Sequence, residues 1–118
     1  MTTRDPALID HASVVNRSQT DDLKLAKQVL QIENNGLVAL ADSLGKEFIN
    51  ALDILQATVG RVVVTGMGKS GHIGRKIAST LASTGIPSFF VHPGEASHGD
   101  LGMIDKSDAV IAISNSGD

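Results

Sequence analysis

The chain has 118 residues, is 42% hydrophobic and 19% charged, and carries a net charge of −3, an ordinary balance for one globular domain. With 3% aromatic residues and no basic cluster it offers no nucleic-acid platform, and with no cysteine it has neither disulfides nor a thiolate metal site. No apolar run approaches a membrane span, and Met1 to Pro6 carries an acid with no apolar stretch after it, so no signal peptide is expected and the default location is the cytoplasm.

Met1 to Thr20 is polar and without clear periodicity, and reads as a loose leader in which His11 is a solvated side chain. Thr20-Asp21-Asp22 then opens a helix, with carboxylates in the first turn where the dipole favours them. Leu23, Ala26, Leu30, Leu37, Leu40 and Leu44 recur at spacings of three, four and seven, which gives that helix one apolar face. Gly45 ends it, and Phe48, Leu52 and Leu55 carry the pattern through a second helix to about Thr58. These stripes must be covered, either by a sheet or by a second subunit.

Val62 to Thr65 is a run of β-branched and hydroxyl residues that reads as a buried strand. It breaks into Gly66-Met67-Gly68-Lys69-Ser70-Gly71, and a helix follows from about Gly71 to Ser83 with Ile73, Ile77, Ala78 and Leu81 at helical spacing. A strand that turns on glycines into a helix leaves backbone N–H groups facing an anion, most often a phosphate. Lys69 and Ser70 add a charge and a hydroxyl. The Walker A pattern fails, because Val63 stands where its first glycine belongs. Gly66, Gly68 and Gly71 fit the dinucleotide fingerprint, but the next strand ends Phe89-Phe90-Val91-His92 without the acid that holds a ribose. A sugar-phosphate site remains. A turn that binds nothing needs neither so many glycines nor an exposed lysine.

Gly85 caps the helix, and Pro87 to Val91 is the second strand. His92-Pro93-Gly94-Glu95-Ala96-Ser97-His98-Gly99-Asp100-Leu101-Gly102-Met103 follows as a loop with a short helical turn near its end. It leaves a parallel strand at the carboxyl end, where open α/β sheets bind ligands. Two histidines there make substrate contact by one of them a serious alternative to a structural role. His92 and His98 with Glu95 or Asp100 could also hold a metal, although the spacing fits no standard zinc pattern. Asp108 to Ile113 is the third strand, apolar throughout and expected to be buried on both faces. It runs into Ser114-Asn115-Ser116-Gly117, whose hydroxyls, amide and glycine form a second anion cradle.

Together, Gly66 to Lys76, the stretch from Ser83 to Gly102 with its His-Pro-Gly-Glu-Ala-Ser-His-Gly-Asp-Leu-Gly block, and Ser114-Asn115-Ser116-Gly117 resemble the D-arabinose 5-phosphate isomerases of the sugar isomerase (SIS) domain superfamily. The resemblance runs from about Leu23 to Asp118 and is dense from Arg61 onward. It implies a three-layer αβα sandwich with a flavodoxin-like parallel sheet, here truncated after the third strand and preceded by two helices. On that basis residues 1–20 are a leader and 21–118 the first part of the domain, with the later part and a pair of CBS domains absent. The implied activity is aldose–ketose isomerisation between D-ribulose 5-phosphate and D-arabinose 5-phosphate, for the making of 3-deoxy-D-manno-octulosonate. The implied assembly is a homo-oligomer, a tetramer at full length. The resemblance implies no cofactor, and its ligand is a small sugar phosphate, not a nucleic acid or a membrane.

Carried over by position, Lys69 is the active-site lysine and His98 contacts substrate. Gly66, Gly68, Ser70, Ser114, Asn115, Ser116 and Gly117 hold the phosphate. Gly85 and Ile86 lie against the sugar, and His92 stands at the position of an inhibitory metal. The glutamate and the later histidine that transfer protons in the family lie beyond Asp118, so this stretch alone is expected to be inactive. Isomerisation through an enediolate needs a base at carbon, a proton shuttle at oxygen and positive charge at the oxyanion. Lys69 suits the charge and a histidine suits the shuttle. Glu95 and Asp100 are the only loop carboxylates left for the carbon, and neither matches the family's base. The alternatives are a sugar-phosphate-binding regulatory module without turnover, and a nucleotide-binding Rossmann enzyme. No basic recognition helix precedes Arg61 to support a DNA-binding regulator.

Overall fold

A computed structural model describes residues 18–117, so His11 and Asp118 lie outside the described residues. The chain divides into two compact units, residues 1–44 and 45–118. In the first, helix α1 spans Gln19–Ser43, with Asp21 and Asp22 in its first turn and their N–H groups donating to the Ser18 carbonyl. It has no buried residue, and Leu23, Leu30, Leu37 and Leu40 all stand exposed.

The second unit opens with α2, Lys46–Ala57, from which Leu55 packs against the core. Strand β1 is Val62–Gly66, helix α3 Gly68–Ser83 and strand β2 Ser88–Val91. The four-residue helix α4, Pro93–Ala96, and a 3-10 turn, Asp100–Met103, then lead to strand β3, Ala109–Ile113. The strands lie in the order β2-β1-β3, all parallel, with Val62 opposite both Ser88 and Ala109. This is the expected α/β arrangement, with β1 at the centre.

The core follows from that order. Parallel strands need a crossover, and α3 supplies the one between β1 and β2. It lays Ala78, Ile77 and Leu81 over Val62, Val64, Phe90, Ile111 and Ile113. Val62, Val63 and Val64 are 3%, 1% and 0% exposed, so a continuous apolar run has become a strand covered on both faces.

Three expectations change. Helix α3 begins at Gly68, not at Gly71, because Gly68 takes φ +57° and turns the chain within one residue. Its buried residues are Gly71, Gly74 and Ala78, while Ile73 is 58% exposed. The helix meets the sheet on glycines: a Cβ on Gly71 would stand 2.6 Å from the Gly66 carbonyl oxygen, and one on Gly74 would stand 3.0 Å from the Phe90 ring. The third strand is not buried on both faces. Val110 is 52% exposed and Ala112 is exposed, because α3 covers only the face that carries Ile111 and Ile113.

Candidate functional site

The parallel register brings the carboxyl ends of β1 and β3 side by side, with Gly66 opposite Ile113. A cleft of about 440 Å³ opens between the two ends. Its lining includes Thr65, Gly66, Met67 and Ser70 on one side, Ser114, Asn115 and Ser116 on the other, and Pro93 above. Ser70 stands in the first turn of α3, where backbone N–H groups have no partner within the helix. On the opposite wall the Ser114 Oγ accepts from the Gly117 N–H at 2.8 Å and lies 3.5 Å from the Ser116 Oγ. That side-chain-closed turn is completed by Gly117 at φ +87°. A helix start facing a hydroxyl-rich turn is a donor-lined pocket suited to a compact anion.

Five of the residues expected to grip phosphate therefore meet in one cleft: Gly66, Ser70, Ser114, Asn115 and Ser116. Gly117 shapes the turn without lining it. Gly68 lines a neighbouring hollow of about 200 Å³ with Gly71, His72, Arg75, Phe90 and His92, and Gly66 is common to both. The Arg75 guanidinium lies 4.3 Å from the Phe90 ring centre.

The remaining candidates are placed elsewhere. Lys69 is exposed in the first turn of α3 and His98 is exposed after α4; neither lines the cleft. Gly85 and Ile86 lie at the opposite edge of the sheet with Gly60, Val62 and Pro87, because the segment before β2 enters at the amino end of the strands. Within one copy of the chain they do not meet the cleft. His92 caps α4, its Nδ1 accepting from the Gly94 N–H at 3.0 Å, which leaves Nε2 as the one ring nitrogen for a metal. No group of three or more His, Cys, Asp or Glu side chains converges as a metal cage among the described residues.

Sequence reasoning missed Thr65, Met67, Pro93, Ala112 and Ile113 as lining residues. A strand's carboxyl end was the available signal for most of them. The Thr65 hydroxyl donates to the Val91 carbonyl at 2.6 Å and so braces β1 against β2 just below the cleft.

Asp108 also went unremarked. Its carboxylate accepts from the N–H groups of Arg61 at 2.7 Å and Asp105 at 2.8 Å, and pairs with the Arg61 guanidinium at 3.1 Å. The Asp105 N–H, then the Arg61 N–H and guanidinium, hold its pKa down at about 2 against the opposing effect of burial.

The family model for the SIS domain matches residues 55–118. Arabinose 5-phosphate isomerase KdsD of Pseudomonas aeruginosa is 56% identical over 104 residues, covering 87% of this chain and 32% of that protein. The protein of the same name from Yersinia pestis is 60% identical over 98 residues, covering 83% of this chain and 30% of that one. The chain thus spans about a third of the length of the curated relatives it matches. Among solved structures, c3406 of E. coli CFT073 in complex with arabinose 5-phosphate is 50% identical with a TM-score of 0.78, over 84% of this chain and 53% of that one. A sugar-phosphate isomerase structure from Listeria monocytogenes, described as putative, is 28% identical with a TM-score of 0.79, over 86% of this chain and 54% of that one.

Proposed function

Because the chain belongs to the SIS domain family, we propose that it is the phosphate-gripping part of an aldose–ketose isomerase that interconverts D-ribulose 5-phosphate and D-arabinose 5-phosphate. The observation that carries the reading is the cleft between β1 and β3, where Ser70 and the Ser114–Gly117 turn gather donors around one anion, in a chain 56% identical to an arabinose 5-phosphate isomerase. The product would feed the making of 3-deoxy-D-manno-octulosonate. The proposed setting is the cytoplasm and the proposed assembly a homo-tetramer of the full-length protein.

In this reading the cleft binds the phosphate and fixes the sugar, which is the entropic share of catalysis. A base removes the proton from the carbon next to the carbonyl, an enediolate forms, and the proton returns to the neighbouring carbon. Lys69 offers the developing oxyanion a cation, and His98 carries the proton between the oxygens. No carboxylate lines the cleft among the described residues, so the carbon base is not supplied at this cleft. His92, with Nε2 free, is the residue proposed to take an inhibitory metal.

A binding module without turnover is the second reading. One observation favours it: neither Lys69 nor His98 lines the cleft.

The test is to express the gene to its natural stop codon and assay conversion of ribulose 5-phosphate to arabinose 5-phosphate, with Lys69→Ala alongside. Conversion is expected, with kcat reduced on the order of 100-fold or more in the variant. Saturable sugar-phosphate binding with no conversion would overturn the isomerase in favour of the binding module.

A further inference from the structure

We propose that Arg61 is a positioning residue, which fixes the histidine-bearing segment 93–104 through the main-chain carbonyl of Met103. For catalysis this rests on the isomerase reading; for structure it stands alone. The segment leaves β2 at the carboxyl edge of the sheet, carries His98, and must reach the amino edge before β3 begins. Its start is held by the His92 cap on Gly94. Its far end is held by Arg61, whose Nη2 donates to the Met103 carbonyl at the close of the 3-10 turn.

Arg61 is itself fixed from three directions. The same nitrogen reaches Asp108 Oδ2 at 3.1 Å, the backbone N–H of Arg61 donates to Asp108 Oδ1 at 2.7 Å, and the guanidinium lies 4.9 Å from the Phe89 ring centre. The Asp108 side chain is 2% exposed and has a third donor in the Asp105 N–H. A planar fork held this way is a rigid post, and a lysine cannot reproduce it. Because Arg61 and Asp108 precede β1 and β3, the post stands at the edge of the sheet opposite the cleft. Removing it therefore leaves the cleft walls in place while freeing the segment that carries His98.

The experiment compares the full-length protein with Arg61→Met and Arg61→Lys by hydrogen exchange and by steady-state kinetics. Exchange in peptides covering residues 97–105 is expected to rise on the order of tenfold in both variants, with β1 and α3 unchanged. Turnover is expected to fall about tenfold or more with KM held within about twofold, because the anion cleft is untouched while the proton carrier is misplaced. Should Arg61→Met fail to fold, Arg61→Lys, which keeps a cation for Asp108, carries the test. Unchanged exchange over 97–105 in a folded variant overturns the proposal. So does a rise spread equally through β1 and α3, which would make Arg61 a general brace. A wild-type protein without turnover would strike the isomerase reading alone, and the exchange pattern would still decide the role of Arg61.

Discussion

Gly71 is the residue at which sequence and packing are most tightly bound. The helix that presents Ser70 to the cleft must start against the end of β1, and the Gly66 carbonyl leaves no room there for a side chain. Gly71→Ala would place a Cβ 2.6 Å from a backbone oxygen, which nothing flexible can relieve. The expected loss is about 1–3 kcal/mol in a denaturant titration, the usual range for an overpacked contact, with sugar-phosphate affinity falling as Ser70 is pushed outward. A neutral substitution would mean that α3 can shift on the sheet. Gly68→Ala makes the contrast: its Cβ would meet open space, so its cost would come from φ +57° alone and should be about 1 kcal/mol.

At the scale of elements, the turn before β3 is organised by one carboxylate. Asp108 has its pKa lowered to about 2, so it favours folding at pH values above the ordinary carboxylate range near 4. That contribution is lost as pH falls through 4 towards 2, when the carboxylate must be protonated. Denaturation midpoints followed from pH 5 to pH 2 should drop less steeply in Asp108→Asn than in the wild type; parallel curves would contradict the assignment. Such a cluster was not legible beforehand, because Arg61 and Asp108 are 47 residues apart and meet only once β1 and β3 pair. The strands and the glycine turn were legible, since a β-branched run broken by glycines is a local signal. The Gly71-Gly74-Ala78 stripe was not, because periodicity counts apolar side chains and glycine has none. The cleft was legible in Ser70 and Ser114–Gly117. The true positions of Lys69, His98, Gly85 and Ile86 were not, because they depend on which edge of the sheet each connection reaches.

For the whole molecule, the exposed face of β3 matters most. Val110 is 52% exposed beside an exposed Ala112, and β3 has no strand on its outer side among the described residues. A bare edge with an apolar face is a pairing surface. The 118-residue polypeptide, purified by itself, is expected to self-associate in sedimentation experiments and to turn over no sugar phosphate. Val110→Lys should shift it towards monomer. A wild-type chain that stays monomeric at high concentration would show that this face needs no cover.

The central place of β1 also governs when the sheet can assemble. Neither neighbour of β1 is joined to it by a hairpin, and β3 arrives only after α3, β2 and the histidine loop have been made. At about 5–20 residues per second, synthesis leaves roughly 2–10 seconds between the end of β1 and the end of β3. Through that interval the three valines of β1 have at most one strand beside them. The nascent chain is thus most open to misassembly, and most in need of a chaperone, just where the finished protein is least accessible to solvent.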